Sequence, residues 1–243
     1  AATDKQYVHP EFLPDWIQPG PTTRIEQLQH YIAENKIDLT LIGLKEALPK
    51  AEKIAPTYYI SDSHWNYYGG FVGYAAIAKA LQKNFPELNP LKINEDISFA
   101  LHEEYSHRDL AKMIYMPDYS EPNHYVPTIR RDVESRYQVQ ISNKKEFKEG
   151  IPFDAHRVRS LTRIQSNLTD QPKVFLIRDS FGNQMLQYFA LTFSETWVAY
   201  HYIFGNYHTT LIEKTKPDVV VFEFVDRYLI VWPKKFPADS AKE

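Results

Sequence analysis

The apolar positions change period along the chain, and the changes mark its elements. Ile25, Leu28, Tyr31 and Ile32 recur at helical spacing, so residues 23–35 are predicted to form an amphipathic helix. Before it, Pro10, Pro14, Pro19 and Pro21 keep the backbone extended until Thr22 or Thr23 caps the helix. The run 37–44 reads as a buried strand. Residues 57–60 read as a brief strand leading through Ser61, Asp62, Ser63, His64, Trp65 and Asn66 into a largely buried helix over 69–81. In the last third, residues 173–177, 196–202 and 219–225 are β-rich apolar runs separated by helix-length connections, with helices predicted over 181–191 and 207–214. Three parallel strands with crossovers of this length imply an α/β sheet covered by helices on both faces.

Residues 86–170 have another texture, with prolines at 86, 90, 117, 122, 127 and 152 and charge clusters at 102–109 and 130–136. They are read as an irregular cap or insertion rather than a further βα unit. Within it, alternation over 137–141 favours a short antiparallel strand, and residues 170–172 punctuate the return to the main layer. The expectation is a single domain over 1–243, a three-layer α/β/α (flavodoxin-like) parallel sheet carrying this cap.

Composition narrows the classes. With 243 residues, 43% of them hydrophobic and 24% charged, the chain is globular in composition, which excludes intrinsic disorder. Lys+Arg 28 against Asp+Glu 31 leaves a net charge of −3 with no basic stripe, so no nucleic-acid partner is expected. The richest apolar run, 219–225, is short and contains Glu223, so no membrane-spanning helix is expected, and residues 1–5 show no signal peptide. The absence of cysteine excludes disulfides, thiolate nucleophiles and Cys-ligated metals, and is compatible with an oxidising compartment. Tyr 17 and Trp 4 suit surfaces that stack on sugar rings, although a Tyr- and Phe-rich core accounts for them as well. His102, Glu103, Glu104 and His107 form the densest ligand-type cluster, but their spacing matches no common zinc motif; no metal or cofactor is expected.

In open α/β sheets the reactive crevice lies beyond the carboxyl ends of the strands. Ser180 falls there, after the run 173–177 and at the start of the next predicted helix, in Arg178-Asp179-Ser180-Phe181-Gly182-Asn183. The amides of Phe181 and Gly182 would then be unpaired and able to face an oxyanion; the alternative is that Asp179 or Ser180 is only a helix cap. A serine needs a base, and the base needs a partner that fixes its tautomer. Asp62 and His64, two apart on an extended loop, offer that pair, with Trp65 to shield it.

Asp62-Ser63-His64-Trp65-Asn66, followed by glycine and a helix, together with Asp179-Ser180-Phe181-Gly182, resembles the SGNH-hydrolase-like acetyltransferase family typified by the alginate O-acetylation proteins (DHHW-like). Asp4-Lys5, His9-Pro10-Glu11-Phe12-Leu13-Pro14, the run 217–223 and Asp226-Arg227-Tyr228-Leu229 are similar to further family segments. The resemblance implies that Ser180 is the acyl-accepting nucleophile, His64 the general base and Asp62 its orienting carboxylate, in the reverse order of ordinary SGNH esterases. Ser63 stands where the family usually has Thr. It also implies an extracytoplasmic, periplasmic or cell-surface setting, a polysaccharide acceptor, and a membrane-bound acyltransferase that supplies acetyl groups. Arg178, Asn183, Arg227, Trp65 and Tyr67 join Phe181 and Gly182 as candidates for the oxyanion or the substrate, each with a structural alternative: an ion pair for Arg178, an exposed helix face for Asn183 and Gln184, helix packing for Tyr67 and Tyr68. The rival functions are an acetyl esterase using the same triad and a non-catalytic glycan-binding module.

Overall fold

The computed structural model describes residues 1–18, 20–102, 109–116, 124–130, 137–138, 162–201 and 207–230. In chain order these form α1 (Lys5–Val8), α2 (Arg24–Glu34), α3 (Ala47–Glu52), α4 (Tyr67–Leu81), β1 (Ile97–His102), α5 (Asp109–Met113), β2 (His124–Ile129), β3 (Tyr137–Gln138), β4 (Thr162–Ser166), β5 (Lys173–Arg178), α6 (Leu186–Ala190), β6 (Glu195–Tyr200), α7 (Tyr207–Thr215) and β7 (Val219–Phe222). Single 3-10 turns span Pro10–Phe12, Phe181–Gln184 and Asp226–Ile230.

The main sheet has the order β3-β4-β6-β5-β7. As expected, β5 pairs in parallel with both β6 and β7, while β4 runs antiparallel to β6 and β3 antiparallel to β4. A separate antiparallel pair, β1 and β2, lies within residues 86–170. β4 falls in that same stretch but belongs to the main sheet. Period-two alternation explains the layers. Val174 and Leu176 of β5 pack with Phe71, Tyr74, Tyr188 and Phe189 from α4 and α6, whereas Phe175 and Ile177 point the other way, toward Ala199 and Leu211 of α7. Both faces of β5 are therefore covered, as an α/β/α sandwich requires, and each such buried side chain contributes about 1.5–3 kcal/mol.

The helix expected over 23–35 is α2, opened by a reciprocal capping box in which Glu26 N–H donates to Thr23 Oγ1 and Thr23 N–H to the Glu26 carboxylate. The helix expected over 69–81 is α4, which starts two residues earlier because the Asn66 side chain accepts from Gly69 N–H as its cap.

Four expectations are corrected. Residues 37–44 form no strand: Ile37 and Leu39 are exposed, and the carbonyls of Leu41 and Ile42 are taken by the Gln29 side chain and the Ala1 amino group instead of a ladder. Residues 57–60 make a tight hairpin with 64–66 rather than a sheet strand, held by one bridge between Tyr58 and Trp65 and by Asn66 N–H donating to Thr57 O. The helix expected over 181–191 is split into a 3-10 turn and α6, because the Asp179 carboxylate takes the Phe181 amide and tightens the first turn. Residues 10–21 are not extended throughout, since Pro10 starts a 3-10 turn. The rest of the strand expected over 137–141, Glu103, Glu104 and His107 lie outside the described residues. Among the described residues no helix is long and apolar enough to cross a membrane.

Candidate active site

Two chain segments 116 residues apart meet on α4. The hairpin that carries Asp62 and His64 runs directly into the helix through its Asn66 cap, and the turn that carries Ser180 packs against the same helix. Glycine permits both approaches. A Cβ on Gly69 would lie 2.2 Å from Thr57 O, and one on Gly70 would lie 2.8 Å from Gln184 Cβ and 3.0 Å from its carbonyl. Trp65, fully buried, pins the two segments together by donating from Nε1 to Phe181 O at 2.7 Å, and its ring meets Phe181 edge-on.

The result is a relay. His64 Nδ1 lies 2.5 Å from Asp62 Oδ1, and His64 Nε2 lies 2.7 Å from Ser180 Oγ. With the Nδ1 proton directed at the carboxylate, Nε2 is left to accept the serine hydroxyl. Asp62 is buried, which alone would raise its carboxyl pKa, but N–H donors from the His64 ring, the His64 backbone and Asp109 prevail and hold it at about 2. The Ser180 side chain makes no cap bond, and its φ and ψ of −69° and −24° begin the 3-10 turn. Asp179, fully buried, takes the cap-type role, accepting from Phe181 N–H and Val225 N–H, each at 2.7 Å. Burial raises its pKa, and burial together with the Asp179 charge raises that of Glu223, which accepts from Asp179 N–H.

Asp62, His64 and Ser180 are thus brought together, and several other candidates are relocated. The Phe181 amide is not unpaired, because Asp179 holds it; the amides of Ser180 and Gly182 make no hydrogen bond among the described residues. Trp65 is the buried pin already described. Arg178 is also buried, under the Tyr200 ring at 4.7 Å and donating to Asp179 O. Gln184 is buried, and Asn183 half-buried with its Oδ1 unpartnered. Tyr67 is half-buried at the first turn of α4, where its carbonyl accepts from Tyr188 O–H. Arg227 stays at the rim, its guanidinium 5.2 Å from the Phe181 ring and bonded to Asp4 at 2.7 Å, while the Phe181 ring lies 4.6 Å from that of His64. A cavity of about 230 Å³ lined in part by Thr3, Tyr7, Gln29, Lys45 and Asp226 contains none of the three relay residues.

Two contributors were given no part in the site by the sequence reading. Lys5 Nζ donates to the carbonyls of Tyr59, Ile60 and Asp62 and so holds the hairpin loop. Asp109 bonds Ser63 and Asp62 from α5. The charge cluster around residue 109 and the Asp4-Lys5 pair were the available signals, but neither says what it touches. Ligand-type atoms of Asp62, His64 and Asp109 converge within 4.8 Å, a set able to hold an ion, although all three residues are engaged in the hydrogen bonds just described.

The architecture is similar to three solved structures. A DHHW family protein from Eubacterium siraeum DSM 15702 shares 13% identity at a TM-score of 0.67, covering 89% of this chain and 74% of that one. PatB1 of Bacillus cereus, solved with a sulfonyl adduct, shares 17% at 0.68, covering 93% and 80%. The O-acetyltransferase domain of Pseudomonas putida AlgJ shares 16% at 0.55, covering 98% and 76%. At these identities the likenesses are of fold, an α/β sheet with helices on both faces. Residues 1–150 match the model of the family described as SGNH hydrolase-like domain, acetyltransferase AlgX, and the chain belongs to that family. No curated protein sequence matches it.

Proposed function

We propose that this protein passes an acetyl group through Ser180 to a hydroxyl of a polysaccharide, with His64 as general base and Asp62 as its orienting carboxylate. Family membership makes the chain an acetyltransferase, and polysaccharide O-acetylation is the function that family supports. The observation that carries the residue assignment is the unbroken Asp62–His64–Ser180 relay at 2.5 and 2.7 Å. In the first half-reaction, His64 Nε2 takes the Ser180 proton as Oγ attacks the acetyl carbonyl. The tetrahedral oxyanion is held by the amides of Ser180 and Gly182. Collapse breaks the bond to the donor's leaving group, which receives the proton from His64, and leaves Ser180 acetylated. In the second half-reaction, His64 deprotonates a glycan hydroxyl, which attacks the acetyl-serine, and the returning proton restores Ser180.

The acetyl donor is assigned to a membrane-bound acyltransferase partner, and the setting to the extracytoplasmic side, as the resemblance to the alginate O-acetylation proteins implies. The test supplies a small acetyl ester with polysaccharide fragments and follows acetylated glycan and free acetate by mass spectrometry. Acetylated glycan from the native protein and none from Ser180→Ala is expected. Free acetate alone would make the protein an esterase, and unchanged turnover by Ser180→Ala would remove that serine from the chemistry.

A further inference from the structure

The hairpin turn that presents His64 is held from outside by the start of α5. Amides of Leu110 and Ala111 both donate to Ser61 O, at 3.1 and 3.2 Å, and the Asp109 amide donates to Asp62 Oδ2 at 3.2 Å. In return, the Asp109 carboxylate accepts the Ser63 amide at 2.6 Å through Oδ1 and the Ser63 hydroxyl through Oδ2. Every residue from 61 to 63 is thereby fixed by a residue from 109 to 111. The arrangement is selective. Asp62 Oδ1 serves the His64 ring and backbone, so its other oxygen depends on Asp109 for a donor. Asp109 Oδ2 lies 3.8 Å from His64 Nδ1, beyond hydrogen-bond reach, so it does not replace Asp62.

We propose that Asp109 is a positioning residue for acyl transfer: by gripping Ser63 on one side and Asp62 on the other, it sets the angle at which the imidazole meets Ser180. This rests on the assignment of Ser180 and His64 above. Two hydrogen bonds to a carboxylate are lost in Asp109→Ala, so Ser63, the residue before His64, is freed to shift while the backbone bonds to Ser61 and Asp62 remain. A misplacement of about an ångström at a reacting pair costs up to about a hundredfold in rate.

The experiment measures kcat and KM for hydrolysis of para-nitrophenyl acetate, together with the rate at which phenylmethanesulfonyl fluoride inactivates the serine, in the native protein, Asp109→Ala, Asp109→Asn, Ser63→Ala and Ser180→Ala. Asp109→Ala is expected to lower kcat and the inactivation rate by about ten- to a hundredfold at unchanged KM. In Asn the remaining oxygen still accepts the Ser63 amide and the NH2 group donates to the Ser63 hydroxyl, so Asp109→Asn is expected to recover most of that loss. Ser63→Ala removes only the hydroxyl contact and is expected to lower kcat a few-fold. Native rates in Asp109→Ala, or equal losses in the Asn and Ala variants, would overturn the proposal. Should Asp109→Ala fail to fold, a native kcat in Ser63→Ala overturns it instead. If Ser180→Ala retains turnover, the underlying reading fails, and that result is distinguishable from any outcome at Asp109.

Discussion

The two glycines at the head of α4 give the sharpest handle on the site. In Gly70→Ala the new Cβ would stand 2.8 Å from Gln184 Cβ and 3.0 Å from Gln184 C and O, against an ordinary contact distance that begins at 3.4 Å. The larger shortfall is about 0.6 Å, and two of the three atoms are backbone, so no side-chain rotation relieves it. The helix and the 181–184 turn must separate. Because His64 is joined rigidly to the helix and Ser180 to the turn, the 2.7 Å Nε2–Oγ contact opens toward about 3.3 Å. Alanine favours a helix interior over glycine by about 1 kcal/mol, and overpacking costs about 1–3 kcal/mol, so the net destabilisation is about 1 kcal/mol. The displaced pair costs far more in rate, on the order of ten- to a hundredfold in serine acylation. The assay is inactivation by a sulfonyl fluoride beside a thermal melt, with Gly20→Ala as control because its added Cβ meets nothing closer than 3.9 Å. Acylation within twofold of native by Gly70→Ala would refute the claim that this close approach sets the geometry.

Other consequences follow from single contacts. Trp65→Phe removes the donor that satisfies the buried Phe181 carbonyl and should lower unfolding free energy by about 1–3 kcal/mol, read as a lower urea midpoint at unchanged m. Thr23→Ala dismantles the capping box of α2 and should cost about 1 kcal/mol while leaving ester turnover intact. Stability should also be pH-dependent at both ends. Asp62, held at about 2, contributes stability that is present above the ordinary carboxylate range and is lost as pH falls from about 4 toward 2. Asp226 behaves oppositely: burial, then the hydrogen bond and charge of Asp4, raise it to about 8. Its protonated form is the one the fold prefers, so its contribution is complete below about pH 4 and is lost as pH rises through about 8. A melting-temperature series across that range should be flatter in Asp226→Asn than in the native protein; parallel curves would contradict the assignment.

How much of this was legible in sequence depended on whether an element's partners were local. The parallel strands β5, β6 and β7 are apolar on both faces, and that property is written in the runs themselves. α2 and α4 announce themselves by caps and spacing within their own turns. Residues 37–44 are equally apolar but fail as a strand, because pairing needs a neighbour with an open ladder and their carbonyls are claimed elsewhere. The split of 181–191 was hidden for a related reason. Its cause is the buried Asp179 carboxylate, which takes the Phe181 amide through Oδ1 while Oδ2 is oriented by the Val225 amide from a segment remote in sequence.

The site divides along the same line. Asp62 and His64 are two residues apart, and a strand-to-helix junction around them is enough to suggest a pair; Ser180 was visible from its place after a strand. What no spacing rule supplies is the reason the two halves meet. That reason is distributed over Gly69 and Gly70, which remove the atoms that would hold the segments apart, Trp65, which ties the turn to the hairpin, and Lys5 and Asp109, which grip the loop from before and after it in sequence. Trp65 could be mistaken for a substrate platform because an indole suits either use; full burial and a bond to a main-chain carbonyl decide for the pin. The chemistry of such a centre is thus carried by a few polar atoms, while its precision resides in residues whose chemistry is unremarked: two missing side chains, one indole and two charged groups that touch no reacting atom.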